Sequence, residues 1–244
     1  MKALIFAAGL GTRLKPITNT KPKALVHIDG VPLLEYAIKK LIFYGITEIV
    51  INVHHFSEQI IDYLKTHNFN CKIIISDETE ELLNTGGGLV YAKDYLSGKK
   101  PFIVYNVDII STINLHNLVK FHTLNNALIT LAVKKRNTSR YLLFDTDMSL
   151  AAWENRSTLE KRIIRKCEKY TPYAFSGIQV IDPNIFNLIK ETGAFSIMDL
   201  YLRLCKENSI IAFDHTEDFW LDVGKFNEIK DVESLIAGQT LEFM

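Results

Sequence analysis

Residues 1–25 read MKALIFAAGLGTRLKPITNTKPKAL, and the fold is decided in this stretch. The apolar run at residues 3–8 is short and unbroken, and Gly9 and Gly11 follow it at once, which predicts a buried strand ending in a tight turn. Such a turn can direct backbone N–H groups at an anion. Two cations, Arg13 and Lys23, flank it. A glycine turn beside two fixed cations predicts a polyphosphate site.

The composition favours an ordinary globular protein with a local binding site. Of the 244 residues, 48% are apolar and 23% are charged, which suffices for a sizeable core. Lys+Arg and Asp+Glu number 28 each, and this balance disfavours a nucleic-acid or membrane-surface partner. The N-terminal apolar run lacks the features of a signal peptide, and no stretch approaches the roughly 18 apolar residues of a membrane helix. Three widely spaced cysteines predict a reduced, cytoplasmic setting.

Strand and helix patterns alternate along the first half of the chain. Apolar or β-branched runs predict strands at residues 46–53, 71–76 and 101–107. Helical spacing predicts helices at about 34–44, 57–66 and, after a glycine cluster, up to residue 96. This alternation indicates an α/β fold with a doubly wound, mostly parallel central sheet. Ligands of such sheets bind beyond the carboxyl ends of the strands.

The second half is less regular. Strands are predicted at residues 127–133, 141–144, 149–153, 173–181 and 210–213, with helices at about 197–206 and 225–236. Asp145 and Asp147 lie between two of these strands and are expected to form a turn. No linker or internal repeat is visible, so a single domain over residues 1–244 without a C-terminal β-helix is expected.

The glycine turn alone is a weak signal for function. Leu14 stands where the dinucleotide fingerprint G-x-G-x-x-G requires its third glycine, and no Gly-Lys-Ser/Thr closes a P-loop. An ordinary turn after a strand explains the pattern about as well. The combination GLGTRL…PKAL is more specific, because Arg13 and Lys23 flank one loop.

This combination resembles the signature of the sugar-nucleotide pyrophosphorylases, the nucleotidyltransferases that act on sugar 1-phosphates. Four later segments also follow the family order, namely residues 85–88 (TGGG), 106–108 (NVD), 175–177 (FSG) and 220–224 (WLDVG). The resemblance covers essentially the whole chain. It implies a Rossmann-like nucleotidyltransferase fold with a nucleotide-binding half, 1–112, and a sugar-binding half, 113–244.

The resemblance assigns catalysis to two cations and a metal to two carboxylates. Arg13 would hold the triphosphate and the leaving pyrophosphate, and Lys23 would reach the α-phosphate and the incoming phosphate. Asp108 and Asp222 would bind Mg²⁺, which proteins hold through one or two carboxylates plus substrate phosphates. Because two polyanions must meet, positioning and charge neutralisation would carry most of the acceleration.

Further family positions are expected to bind the nucleotide and the sugar. The nucleotide-binding residues are Ala7, Gly9, Gly11, Thr12, Thr85, Gly86 and Gly87. Glycines there would let a flat base lie against the main chain. Asn106 and Gly177 are the expected sugar contacts, and Trp220 is expected to fill the core.

Within the family, the compact length and the FSGI segment most resemble the N-acetylmuramic acid 1-phosphate uridylyltransferases, which predicts UTP as donor. Guanylyl- or thymidylyltransferases of mannose or glucose 1-phosphate and phosphocholine cytidylyltransferases are the alternatives. Val107 and Lys225 depart from the usual NGD and DVGT patterns, and on these departures rests a further alternative, a non-catalytic nucleotide-sugar-binding regulatory subunit. The expected partners are a nucleoside triphosphate and a sugar 1-phosphate, with neither nucleic acid nor membrane. The expected assembly is a monomer or a small homo-oligomer.

Overall fold

A computed structural model describes residues 1–225 and 229–244. The strands are β1 (Lys2–Phe6), β2 (His27–Ile28), β3 (Val31–Pro32), β4 (Glu48–Val53), β5 (Lys72–Asp77), β6 (Phe102–Asn106), β7 (Ile109–Ser111), β8 (Ile129–Lys134), β9 (Arg140–Phe144), β10 (Leu150–Asn155), β11 (Glu160–Ile163), β12 (Thr171–Ile181), β13 (Ile210–Asp214) and β14 (Trp220–Asp222). The helices are α1 (Leu33–Phe43), α2 (Ser57–Thr66), α3 (Asn84–Tyr91), α4 (Lys93–Leu96), α5 (Leu115–Leu124), α6 (Ile197–Leu204) and α7 (Ile229–Ile236).

Four parallel strands form the centre of the main sheet, in the order β5-β4-β1-β6. Ala3, Leu4 and Ile5 of β1 are completely buried because apolar clusters cover both faces of the sheet. A strand covered on both sides needs an unbroken apolar run rather than an alternating pattern. The predicted α/β fold with a mostly parallel central sheet is confirmed.

The long strand β12 attaches the second half of the chain to this centre. It pairs antiparallel with β6, and other parts of its length pair antiparallel with β8 and β9. β13 then adds parallel to β8, and β10 and β11 extend the sheet beyond β9. Strands from residues 1–112 and 113–244 therefore share one ten-stranded sheet.

Several elements differ from the sequence prediction. Helix α5 and the short strands β7 and β11 were not predicted. The predicted helix at 225–236 is present as α7 over Ile229–Ile236, whereas residues 226–228 lie outside the described residues and Val223–Lys225 forms a 3-10 turn. The predicted turn is confirmed: Asp145 Oδ1 accepts hydrogen bonds from the backbone of Asp147 and Ser149. None of the described helices combines the length and apolar character needed to cross a bilayer.

The sheet brings the predicted motifs to one edge. β1 ends at Phe6, three residues before Gly9 of the glycine turn, and β6 ends at Asn106, two residues before Asp108. The short strand β14 pairs antiparallel with β7, which places Asp222 opposite Ile109. This pairing places Asp222, from the second half of the chain, next to the end of β6 and therefore near Asp108.

The triple glycine lies inside helix α3 rather than in a loop before it. A Cβ on Gly86 would overlap the ring of Phe195, and one on Gly87 would overlap the carbonyl oxygen of Gly193. Hydrogen bonds tie the same segments together: Gly86 N–H donates to Phe195 O at 2.9 Å, and Phe195 N–H donates to Leu83 O at 3.2 Å. The glycines therefore allow α3 to contact the segment before α6.

Gly86→Ala tests this close contact. We expect the added methyl group to displace the Phe195 ring and to lower the free energy of unfolding by roughly 1–3 kcal/mol, as overpacking does. The matched control is Gly238→Ala, because nothing lies within 4 Å of a Cβ at Gly238. Urea denaturation of both variants measures the difference, and equal stability would contradict the packing role of Gly86.

Two buried histidines predict acid sensitivity. His122 lies 3.0 Å (Nδ1) from Thr130 Oγ1, and His215 lies 2.7 Å (Nε2) from Ser176 Oγ. Burial lowers the pKa of each to about 4, and for His215 the charge of Lys134 adds to this effect. In the unfolded chain, the two histidines take up protons once the pH falls below their ordinary pKa. In the folded chain, they do so only near pH 4.

The free energy of unfolding should therefore fall as the pH drops from about 6.5 to about 4, by up to roughly 3 kcal/mol per histidine. His122→Gln retains a hydrogen-bonding group but cannot take up this proton, so it should flatten the pH dependence. Urea denaturation at pH 7 and pH 4.5 checks this. His27→Gln, at an exposed position, serves as the control and should keep the wild-type slope.

Candidate active site

A cavity of about 640 Å³ opens at the carboxyl edge of the parallel strands. The predicted site residues that line it are Ala7, Gly9, Gly11, Thr12, Arg13, Lys23, Thr85, Asn106 and Asp108. Gly86, Gly87, Gly177 and Asp222 lie outside its lining. The structure thus brings most of the predicted positions to one cavity, although they come from distant parts of the chain.

The glycine turn fixes the two predicted cations on one wall of the cavity. Gly11 has a positive φ of 63°, and a Cβ there would lie 3.0 Å from both Lys23 Cβ and Thr18 Cγ2. Thr18 Oγ1 donates to Gly11 O at 2.9 Å. A glycine at this position therefore allows the turn to pack against the Lys23 segment. Arg13 is exposed and lines the cavity from the short helix Thr12–Leu14.

Lys23, Asp108 and Asp222 converge around Gly224. Lys23 Nζ forms an ion pair with Asp108 Oδ2. A Cβ on Gly224 would overlap Lys23 Nζ and would lie 3.1 Å from both Asp108 Oδ2 and Asp222 Oδ1. The backbone joins the same segments, since Val223 N–H donates to Asp108 O at 3.0 Å. We call this group, Lys23, Asp108, Asp222 and Gly224, the carboxylate cluster.

Ionisation of Asp222 is made costly by its position in the cluster. Burial raises the pKa of Asp222, and the charge of Asp108 raises it further, while Lys23 and Lys225 act in the opposite direction. Among the described residues, the buried Oδ1 atom of Asp222 has no hydrogen-bond partner. A paired, partly unsatisfied carboxylate site of this kind favours a bound cation.

The far end of the cavity contains a polar residue that the sequence analysis missed. Asn52, buried in β4, accepts hydrogen bonds through Oδ1 from Ala7 N at 2.7 Å and Ala8 N at 3.4 Å. Its Nδ2 donates to Glu78 Oε1 at 2.9 Å. The N–H of Ala7 is thus already bonded, although Ala7 was predicted to read a base through its main chain. The available signal was an asparagine inside the otherwise apolar strand sequence IVINV.

The predicted sugar contacts are neighbours in the structure, but only one lines the cavity. Asn106 lies at the end of β6 and lines it. Gly177 has a φ of 75°, and a Cβ there would lie 2.9 Å from Asn106 Nδ2. The structural reason for this glycine is therefore the room that it leaves for the Asn106 side chain.

The family model described as nucleotidyl transferase matches residues 2–239. The chain belongs to the nucleotidyl transferase family. A mannose-1-phosphate guanyltransferase of Schizosaccharomyces pombe is 30% identical over 230 residues, and one of Saccharomyces cerevisiae is 31% identical over 230 residues. The matches cover 92% of this chain but only 61% and 62% of these relatives. The chain thus spans about three fifths of their length.

Solved structures share the fold of this nucleotidyl transferase. HddC from Yersinia pseudotuberculosis, complexed with GMP-PN, superimposes with a TM-score of 0.74 at 23% sequence identity. The match covers 96% of this chain and 99% of HddC. Both curated relatives are named mannose-1-phosphate guanyltransferases, and neither is named as an N-acetylmuramic acid 1-phosphate uridylyltransferase.

The residues present fit the Mg²⁺ that the family resemblance implies. Asp108 and Asp222 would supply carboxylate oxygens, and the unpartnered Oδ1 of Asp222 lies in the cluster. In residues 1–225 and 229–244, no group of three or more His, Cys, Asp or Glu side chains could hold a metal. Two carboxylates are a common protein contribution to Mg²⁺, whose other ligands are water and substrate phosphate oxygens.

Gly224→Ala tests the carboxylate cluster. The new methyl group would displace the flexible Lys23 ammonium and crowd both carboxylates, so we expect binding of a nucleoside triphosphate with Mg²⁺ to weaken at least tenfold. Calorimetric titration measures the affinity, and circular dichroism checks that the variant is folded. Gly238→Ala is again the control. Wild-type affinity in the Gly224 variant would show that the cluster does not bind the nucleotide.

Proposed function

We propose that this chain transfers a guanylyl group from GTP to a hexose 1-phosphate, with mannose 1-phosphate as the first candidate acceptor, and releases pyrophosphate. The observation that supports this most directly is the convergence of Arg13, Lys23 and Asp108 at one cavity, with Asp222 next to Asp108 around Gly224. The mannose-1-phosphate guanyltransferase relatives support the choice of GTP and mannose 1-phosphate.

In the proposed reaction, an oxygen of the acceptor phosphate attacks the α-phosphorus of GTP. One P–O bond forms there, while the P–O bond to the β-phosphate breaks and pyrophosphate leaves. Little covalent chemistry is left for the protein, so placing the reactants and neutralising their charge provide the acceleration. Bound Mg²⁺ would neutralise phosphate charge beside the two carboxylates.

The cations of the site have different tasks in this proposal. Arg13 is exposed at the cavity wall, and its planar guanidinium can donate to two phosphate oxygens at once. Lys23 is held against Asp108, so its ammonium is fixed next to the metal ligands. It would contact the α-phosphate and stabilise the charge that develops in the transition state.

Activity should depend strongly on the carboxylate cluster. Asp108→Asn and Lys23→Ala should each lower kcat/KM by roughly 100-fold or more, because each removes a fixed charge at the reacting phosphate. Lys15→Ala is the matched control, since this exposed lysine lies in the same segment and does not line the cavity. Steady-state kinetics with folded variants decide the matter, and near-normal turnover of either variant would disprove its role.

The choice of substrates is tested with a matrix. Purified protein with Mg²⁺ is incubated with each nucleoside triphosphate and a panel of acceptors that includes mannose 1-phosphate, glucose 1-phosphate, N-acetylmuramic acid 1-phosphate and phosphocholine, and pyrophosphate is measured. GTP with a hexose 1-phosphate should give the highest rate. A highest rate for UTP with N-acetylmuramic acid 1-phosphate would restore the first prediction. Nucleotide binding without pyrophosphate from any pair would identify a non-catalytic subunit.

A further inference from the structure

Strand β12 contains a bulge next to the site, and carbonyl groups of this bulge hold the side chains of Arg136 and Trp220. The register between β12 and β8 shifts between Phe175 and Gln179. Within this bulge, Phe175 O accepts a hydrogen bond from Arg136 Nη2 at 2.9 Å. Ser176 O accepts one from Trp220 Nε1 at 2.8 Å. Bulges leave main-chain groups free of ladder bonds, and here two carbonyl groups hold side chains instead.

Arg136 is held in place from two directions. Its guanidinium carbon lies 4.2 Å from the centre of the Trp220 ring, a short cation–π distance. With the bond to Phe175, this fixes the plane of the guanidinium group. In the described part of the chain, its buried Nε has no hydrogen-bond partner, and no carboxylate forms an ion pair with it. Burial lowers the pKa of Arg136, and the charge of Asp222 offsets part of this effect.

Lys225 brings a second cation to the same ring. Its Nζ lies 5.5 Å from the centre of the Trp220 ring and 3.9 Å from Asp222 Oδ2. Two cations that repel each other therefore lie together beside one carboxylate of the cluster. Such an arrangement is favourable when an anion binds between or across them.

Neither cation lines the 640 Å³ cavity that Arg13 and Lys23 border. Both nevertheless act on Asp222, which belongs to the carboxylate cluster. The proposed reaction brings a second phosphate to this cluster, in addition to the triphosphate. Without further cations, the acceptor phosphate would meet the charges of Asp108, Asp222 and the triphosphate together.

We propose that Arg136 and Lys225 bind the phosphate of the acceptor sugar 1-phosphate, and that Trp220 positions both cations. The inference rests on the proposed function for the identity of the anion. Arg136 was not among the residues that the sequence analysis identified. Lys225, which stands where many family members have threonine, becomes part of the binding machinery.

Kinetics of Arg136→Gln test the proposal. The KM for the sugar 1-phosphate should rise tenfold or more, whereas the KM for the nucleoside triphosphate should change less than twofold, because a charge-assisted hydrogen bond is lost only to the acceptor. Lys225→Gln should act in the same direction without disturbing the packing on Phe175. The matched control, Lys135→Gln, removes the same charge from the exposed neighbouring residue and should leave both KM values unchanged. A larger effect on the triphosphate KM or on pyrophosphate inhibition would overturn the assignment.

Binding of inorganic phosphate and of mannose 1-phosphate, each titrated calorimetrically with Mg²⁺ present, separates this inference from the proposed function. Wild-type protein and Lys135→Gln should bind these probes alike, and Arg136→Gln and Lys225→Gln should bind them at least tenfold more weakly. This result would stand even if no substrate pair gave pyrophosphate, in which case only the proposed reaction would fail. No binding to the wild type, or equal weakening by Lys135→Gln, would refute the anion site. Thermal melting confirms that each variant is folded.

Discussion

Two carboxylates and an ammonium group share the space around Gly224, where a side chain would overlap the ammonium group and crowd both carboxylates. Asp108 and Asp222 repel each other, and the repulsion increases because Asp222 is buried. The ion pair between Lys23 and Asp108 offsets part of this cost. Holding like charges at such close range is unfavourable for the isolated protein. The arrangement favours binding of a cation and phosphate groups, because folding has already brought the carboxylates and the ammonium group into position.

The rest of the fold can be understood as support for this arrangement. The parallel centre of the sheet fixes the ends of β1 and β6, and hence the glycine turn and Asp108. Asp222 is added by the three-residue strand β14, which pairs only with β7 in the described sheets. The bulge in β12 then holds Trp220, the first residue of β14, through Ser176 O. Asp108, Asp222 and Trp220 therefore lie in or next to strands, and hydrogen bonds to the main chain hold these segments in place.

The sequence predicted the central fold well because its signals are local and strong. The apolar runs of β1, β4 and β6 and the glycines after β1 carry their structural meaning within a few residues. Helix α5 was missed since its buried positions include His122, whose contact with Thr130 is a tertiary feature. β11 was missed because all four of its residues are exposed and lack an apolar pattern. The reason for the triple glycine was also hidden, because Phe195 lies more than 100 residues further along the chain.

Some residues of the site were predicted from the sequence, and others were missed. Arg13, Lys23 and Asp108 lie in sequence motifs, and the structure places them on one cavity. Asn52 and Arg136 were missed because their partners come from distant parts of the chain, and only Asn52 had a local signal, as a polar residue within the apolar run of β4. The link between α3 and the segment before α6 has a consequence for protein engineering. Two main-chain hydrogen bonds join residues 83–86 to Phe195, and Ile197 N–H donates a third hydrogen bond to the side-chain Oγ1 of the cavity residue Thr85. Replacing residues 83–86 with those of a relative would change only one of the two hydrogen-bonded segments. Altering the part of the cavity around Thr85 therefore requires exchanging residues 83–86 and 195–197 together.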